Sequence, residues 1–210
     1  SAGGLSIVIA FSIATLVLIP MLTSTTAPIK SYLSYTLPVV GAGWIIALTG
    51  LIDDVKELSA KKKMIGILLA ASLVWFLTDF RLNDFKIPFG GPLLHFEPWL
   101  SYLLTVIWIV SITNAVNLID GLDGLVSGVS IISLVTMGIV SYFFLPVPNL
   151  FLTMTIFVLV ASIAGFFPFN YHPAILYLGD TGALFIGFMI SVLSLQGCLL
   201  YTSDAADEAR

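Results

Sequence analysis

Apolar runs alternate with short polar segments along almost the whole chain. A helix that crosses a bilayer needs about 20 mostly apolar residues. Seven runs approach or meet that length: 4–22, 39–52 (with an earlier start near Tyr32 left open), 64–77, 99–115, 125–145, 150–167 and 182–200. The intervals carry the loop chemistry. Residues 23–38 hold polar residues and prolines, 53–63 are the most polar stretch of the chain, and 78–98 mix Gly, Pro and charges. Residues 114–124 are short and polar, Pro146-Val147-Pro148 breaks the pattern, and 169–181 form a further loop. This predicts an all-α, polytopic transmembrane helix bundle of about seven spans over residues 1–197. Residues 198–210 are polar and acidic with no period, and read as a disordered end or as foreign sequence.

Composition agrees. The hydrophobic fraction is 59% and the charged fraction 10%, against roughly 25% charged in a soluble domain. Mean hydropathy is +1.08. A soluble core of this size has no room for so much apolar surface, so lipid is the expected solvent. The net charge of −4 includes no basic stripe, which argues against nucleic acid. The single cysteine, Cys198, excludes an internal disulfide. The chain opens at Ser1 inside an apolar pattern, without an initiator Met or a basic leader, and is expected to be a fragment.

Charge sets the sidedness. Lys56, Lys61, Lys62 and Lys63 share one short loop, which the positive-inside rule places in the cytoplasm. Alternation then puts 78–98 outside and 114–124 and 169–181 inside. The outer loops carry Lys30, Arg81 and Lys86, so the bias is modest. With this topology Asp53, Asp54, Asp120, Asp123 and Asp180 all fall at cytoplasmic helix ends. Acids from three separate loops are thus expected to converge on one face.

Clustered carboxylates repel one another and raise one another's pKa. A hard divalent cation, Mg²⁺ or Mn²⁺, relieves that repulsion. Mg²⁺ commonly combines one or two carboxylates with substrate phosphates, which points to a phosphate-bearing substrate. Lys61 to Lys63 supply point charges for the same phosphates, and Asp180-Thr181-Gly182 opens a helix whose N-terminus favours anions. Each feature alone has a plainer reading. Asp53-Asp54 can simply end a helix, Asp180 can be an N-cap, the lysines can be a topology signal, and Asp120-Gly121 can be a turn. His95 and His172 read as ordinary loop residues and Tyr177 as an interfacial aromatic. The functional reading rests on their coincidence on one side. The alternatives are an ion- or proton-coupled transporter, which needs acids near the midplane, and a structural subunit with incidental acids.

Three motifs are specific: Gly50-Leu51-Ile52-Asp53-Asp54, the segment from Asn114 through Asn117-Leu118-Ile119-Asp120-Gly121-Leu122-Asp123-Gly124 to Leu125, and Leu178-Gly179-Asp180-Thr181-Gly182-Ala183-Leu184-Phe185. In order and topology they resemble the polyprenyl-phosphate N-acetylhexosamine-1-phosphate transferases, glycosyltransferase family 4, related to the phospho-MurNAc-pentapeptide transferases. The resemblance covers about residues 3–196, and where it stops favours the foreign reading of the tail.

The resemblance implies transfer of a sugar-1-phosphate from a UDP-sugar to undecaprenyl or another polyprenyl phosphate, with release of UMP and a need for Mg²⁺ (Mn²⁺ as an alternative). That is the first membrane step of cell-envelope polysaccharide synthesis, in a bacterial inner membrane with the site in the cytoplasm. A homodimer is compatible with it. By this match Asp53 activates or orients the lipid phosphate with Asp54 beside it, Asp180 ligates the metal, and Asn117, Asp120 and Asp123 hold the nucleotide end and the metal's surroundings. Asn170 matches a site asparagine, Tyr177 an aromatic that stacks on uracil, and Lys61 or Lys63 a phosphate-binding lysine. Two departures stand out: Ile175 lies where many relatives carry Lys, and the family's later His-rich loop and outermost helices have no counterpart.

Overall fold

The structure is a computed structural model that describes residues 3–23, 29–86, 93–144 and 150–207. In hydrocarbon every backbone N–H and C=O needs a partner within its own segment, so the apolar runs become helices. They are α1 (Gly3–Ile13), a π turn (Ala14–Leu18) leading into α2 (Ile19–Thr23), α3 (Ile29–Lys56), α4 (Ala60–Leu77), α5 (Pro98–Leu118), α6 (Leu125–Phe143), α7 (Leu150–Asn170) and α8 (Gly179–Asp207). Among the described residues six helices are long and apolar enough to cross a membrane. α4 has 18 residues but carries three lysines in its first turn, which sets it apart from those six. The protein is a polytopic helical membrane protein, as the hydrophobic pattern predicts.

Several boundaries differ from the sequence expectation. α3 starts at Ile29 and runs through Pro38. Buried neighbours hold it there: Tyr32 and Thr36 are almost fully buried, and the Thr36 hydroxyl donates to the Tyr32 carbonyl at 2.8 Å. The Tyr32 hydroxyl donates in turn to the Thr15 carbonyl inside the π turn, at 2.9 Å. The expected 78–98 loop contains a hairpin, β1 (Asp84–Lys86) antiparallel to β2 (Leu93–His95), with Phe85 opposite Leu94. Three-residue strands are too short to show a period of two. α4 begins at Ala60, before its lysines, because lysine is a good helix former with an apolar stem. α8 begins at Gly179, three residues earlier than expected. The turn expected at Pro146-Val147-Pro148, the side chains of Lys30 and Lys86, and the side chains of the 198–210 tail lie outside the described residues.

α8 organises the bundle. Of its membrane-crossing part, 78% is buried, against 28–47% for the other five. It packs chiefly against α3 and α5, with α1 against its first turns. Close approach is possible because small residues line the contacts. A Cβ on Gly50 of α3 would stand 2.6 Å from the Asp180 carbonyl oxygen and from Thr181 Cα. A Cβ on Gly4 of α1 would stand 2.2 Å from the Gly182 nitrogen, and the Gly4 N–H donates to the Leu178 carbonyl at 3.0 Å. The α8 N-terminus is therefore seated between α1 and α3 by backbone contact.

Candidate active site

The C-termini of α3, α5 and α7 and the N-termini of α4, α6 and α8 share one end of the bundle, because consecutive helices alternate in direction. The predicted acids sit there. Asp54 lies one turn beyond Gly50 on the same face of α3. Its Oδ1 accepts from the Asp180 N–H at 2.9 Å, and its Oδ2 accepts from the Thr181 N–H at 3.3 Å and the Thr181 hydroxyl at 2.7 Å. An acid from α3 thus caps α8, satisfying donors that a helix start leaves open and complementing its dipole.

Asp53 is 6% exposed. Its Oδ1 accepts from the Leu58 N–H at 2.5 Å, across a turn in which Glu57 has φ of +44°. Its Oδ2 pairs with the ammonium of Lys63, which also reaches Asp180 Oδ1 at 3.1 Å. The Asn117 amide, from the last turn of α5, donates to the same Asp180 oxygen. Asp53, Lys63, Asn117 and Asp180 thereby form one connected cluster. Lys61 and Lys62 are exposed and stand apart from it. Of the predicted lysines, the structure brings Lys63 to the acids and leaves Lys61 in solvent.

Asp120 follows α5 and faces this cluster. Burial, and then repulsion from the carboxylates of Asp180 and Asp54, pushes its carboxyl up from 3.8 to about 6. It lines a cleft of about 190 Å³ together with Gly121, Asp123, Asn170, Tyr177 and Gly179. Tyr177 is exposed at the cleft wall. Asn170 is buried and anchors that wall: its Oδ1 accepts from the Ser127 hydroxyl at 2.8 Å, and its amide donates to the Leu176 carbonyl at 3.1 Å. Asp123 Oδ2 accepts from the Ala174 N–H at 3.2 Å and meets His172 Nδ1 at 3.1 Å. Asp123 therefore fastens the loop that carries Tyr177.

The sequence reading gave no role to Thr181, which shares the Asp54 cap, or to Ser127, which orients Asn170, and it took His172, which pairs with Asp123, as an ordinary loop residue. Thr181 had a usable signal, since it follows Asp180 at a helix start. Ser127 and His172 had none, because their partners are distant in the chain. At the other end of the bundle His95 Nδ1 pairs with Asp84 across the hairpin.

The donor set suits a hard cation. Among the described residues no three acidic, imidazole or thiol side chains stand close enough to hold a metal by themselves. A dication that completes its shell with substrate phosphates asks for only one or two carboxylates. Asp53 and Asp180 meet that need, since a single ammonium already touches an oxygen of each.

Comparison with known sequences returns one consistent picture. The sequence profile of glycosyl transferase family 4 matches residues 36–198. The chain is 41% identical, over 165 residues, to a probable undecaprenyl-phosphate N-acetylglucosaminyl 1-phosphate transferase of Bacillus subtilis (strain 168), covering 78% of the chain and 44% of that relative. It is 36% identical over 207 residues to the phospho-N-acetylmuramoyl-pentapeptide-transferase of Staphylococcus saprophyticus, covering 92% of the chain and 61% of the relative. The enzyme of that name from Listeria innocua is 31% identical over 192 residues, covering 81% of the chain and 57% of the relative. The chain spans about half the length of these curated relatives.

Proposed function

The chain belongs to glycosyl transferase family 4, and from that premise we propose that the protein transfers a sugar-1-phosphate from a UDP-sugar to a polyprenyl phosphate. An oxygen of the lipid phosphate attacks the β-phosphorus of the UDP-sugar. The bond from that phosphorus to the bridging oxygen breaks, and UMP leaves with the bridging oxygen. The product is a lipid-linked pyrophosphoryl sugar. The sugar is an N-acetylhexosamine, in keeping with the names of the relatives.

One observation carries this reading. Asp53, Lys63, Asn117 and Asp180, drawn from four helices, are bonded into one cluster beside a cleft lined by Asp120, Asn170 and Tyr177. Phosphoryl transfer asks mainly for positioning and neutralisation of charge. A Mg²⁺ bound at Asp180 and Asp53 would supply that neutralisation for the pyrophosphate. Asp53, in the last turn of α3 and bonded to Lys63, would orient the incoming lipid phosphate. Asp120 changes charge near neutral pH, so it accepts or returns a proton readily. Tyr177 offers its ring to the uracil, and Asn170 and Asp123 hold the wall on which that ring stands. Asp54 is fully engaged as the cap of α8 and serves as a positioning residue.

The site faces the cytoplasm across a bacterial inner membrane. Lys56 and Lys61 to Lys63 support that side, since they stand at the same end as the acids. The acids lie at helix ends, away from the midplane where a coupled transporter would need them. The complete protein in detergent, given Mg²⁺, a UDP-N-acetylhexosamine and undecaprenyl phosphate, should release UMP. Asp180→Asn should abolish release in a protein that still folds. Full turnover by that variant would remove Asp180 from the reaction.

A further inference from the structure

We propose that Lys63 is a resident counter-ion of the Asp53–Asp180 pair, one that a divalent cation must displace before the site can work. Three lysines open α4, and only Lys63 is turned inward: its side chain is 19% exposed, while Lys61 and Lys62 are solvated. Its ammonium contacts Asp53 Oδ2 and Asp180 Oδ1 together. No other ammonium or guanidinium among the described residues pairs with either acid.

The charge count explains why a cation is kept there. Asp53, Asp120 and Asp180 share this end of the bundle with Asp54. The α8 N-terminus absorbs Asp54 through two N–H groups and a hydroxyl. Asp180 stands in the first turn of the same helix, whereas Asp53 lies in the last turn of α3, where the helix dipole is unfavourable to an acid. Each takes one neutral donor, the Leu58 N–H for Asp53 and the Asn117 amide for Asp180. Lys63 supplies the single positive charge that both carboxylates contact.

This inference rests on the metal-assisted reading above and deepens it. A dication and the Lys63 ammonium compete for the same two carboxylates, so they exclude one another. Were Asp53 and Asp180 to hold a dication, the Lys63 ammonium would be released on its four-carbon stem and would be free for a substrate phosphate. Metal binding and phosphate capture are thereby coupled through one side chain. Apparent metal affinity is reduced by the fraction of time Lys63 leaves the pair. If that fraction is about one tenth, the penalty is about tenfold.

Two measurements on the complete protein in detergent, without nucleotide, test this. First, Mn²⁺ is titrated and free ion is read by electron paramagnetic resonance for wild type, Lys63→Gln and Asp180→Asn. Lys63→Gln should bind Mn²⁺ about tenfold more tightly, and Asp180→Asn should lose the site. Second, an amine-acetylating reagent is applied to wild type with and without saturating Mn²⁺, and each lysine is read by mass spectrometry. Lys63 acetylation should rise several-fold with Mn²⁺ towards the level of Lys62, which itself should not change. This second measurement needs no variant to fold. Mn²⁺ that binds through Asp180 while Lys63 acetylation stays flat or falls overturns the counter-ion role and leaves the metal-assisted reading intact. Mn²⁺ binding unaffected by Asp180→Asn removes both.

Discussion

Asp54→Ala separates a positioning acid from a reacting one. The substitution removes three hydrogen bonds at 2.7–3.3 Å from the first turn of α8. Loss of a good cap costs about 1 kcal/mol and up to about 2. Bonds to an ionised acceptor are worth about 1.5–3 kcal/mol each before water replaces them. Water can reach this end of the bundle, so much of that is recovered, and a net loss of about 3 kcal/mol is expected. Because Asp180 sits on the released turn, the same loss should lower turnover about a hundredfold if it falls wholly on the transition state. Asp54→Asn keeps one acceptor oxygen and should lose roughly half as much stability. The assay pairs thermal unfolding in detergent with UMP release, reading kcat and KM separately. Stability and turnover should fall together, in the order wild type, Asn, Ala. If Asp54→Asn is as inactive as Asp54→Ala while both unfold like wild type, Asp54 acts on substrate and the capping argument is wrong.

Other perturbations address the remaining parts. Asp120 ionises in the fold only near pH 6, well above its ordinary 3.8, so its charge destabilises the protein fully above about pH 6 and not at all below about pH 3.8. Asp120→Asn should therefore raise the unfolding temperature at pH 7.5 in the presence of a chelator, and the gain should shrink towards pH 4.5; an equal gain at both values would contradict the repulsion argument. Gly50→Ala drives a methyl group to 2.6 Å from the Asp180 carbonyl and Thr181 Cα, which should cost about 1–3 kcal/mol and reduce UMP release, measured by unfolding and turnover of the purified variant. Asp123→Asn weakens the hold on Ala174 and His172, and should raise KM for the UDP-sugar several-fold with a smaller effect on kcat, as steady-state kinetics will show.

What the chain declares locally and what it leaves to packing divide cleanly here. Crossing about 30 Å of hydrocarbon needs one unbroken apolar stretch, and backbone bonds within a lipid-exposed helix close inside that stretch. The all-α class and the convergence of acids at one end are therefore written in hydrophobic length and alternation, while the count of about seven falls to six among the described residues because the lysines that open α4 lower its hydropathy. The motifs around Asp53, Asp120 and Asp180 are legible for a related reason, since each is contiguous in sequence. Helix starts are less legible: α3 passes through Pro38 and α4 absorbs its lysines, because tertiary burial outweighs local propensity.

Partner choice was decided only by the tertiary structure. Sequence offered Lys61 and Lys63 on equal terms; the rotation of α4 against α3 turns Lys63 to the acids and Lys61 to water. It also offered Asp53 and Asp54 as neighbours in one role. The approach of α8 at Gly50 assigns Asp54 to the helix N-terminus and leaves Asp53 beside Lys63. The pairings of Lys63 and of Asp54 with Asp180 join residues 117 and 126 positions apart. They depend on ångström-scale helix contacts that no local pattern of hydrophobic and polar residues encodes.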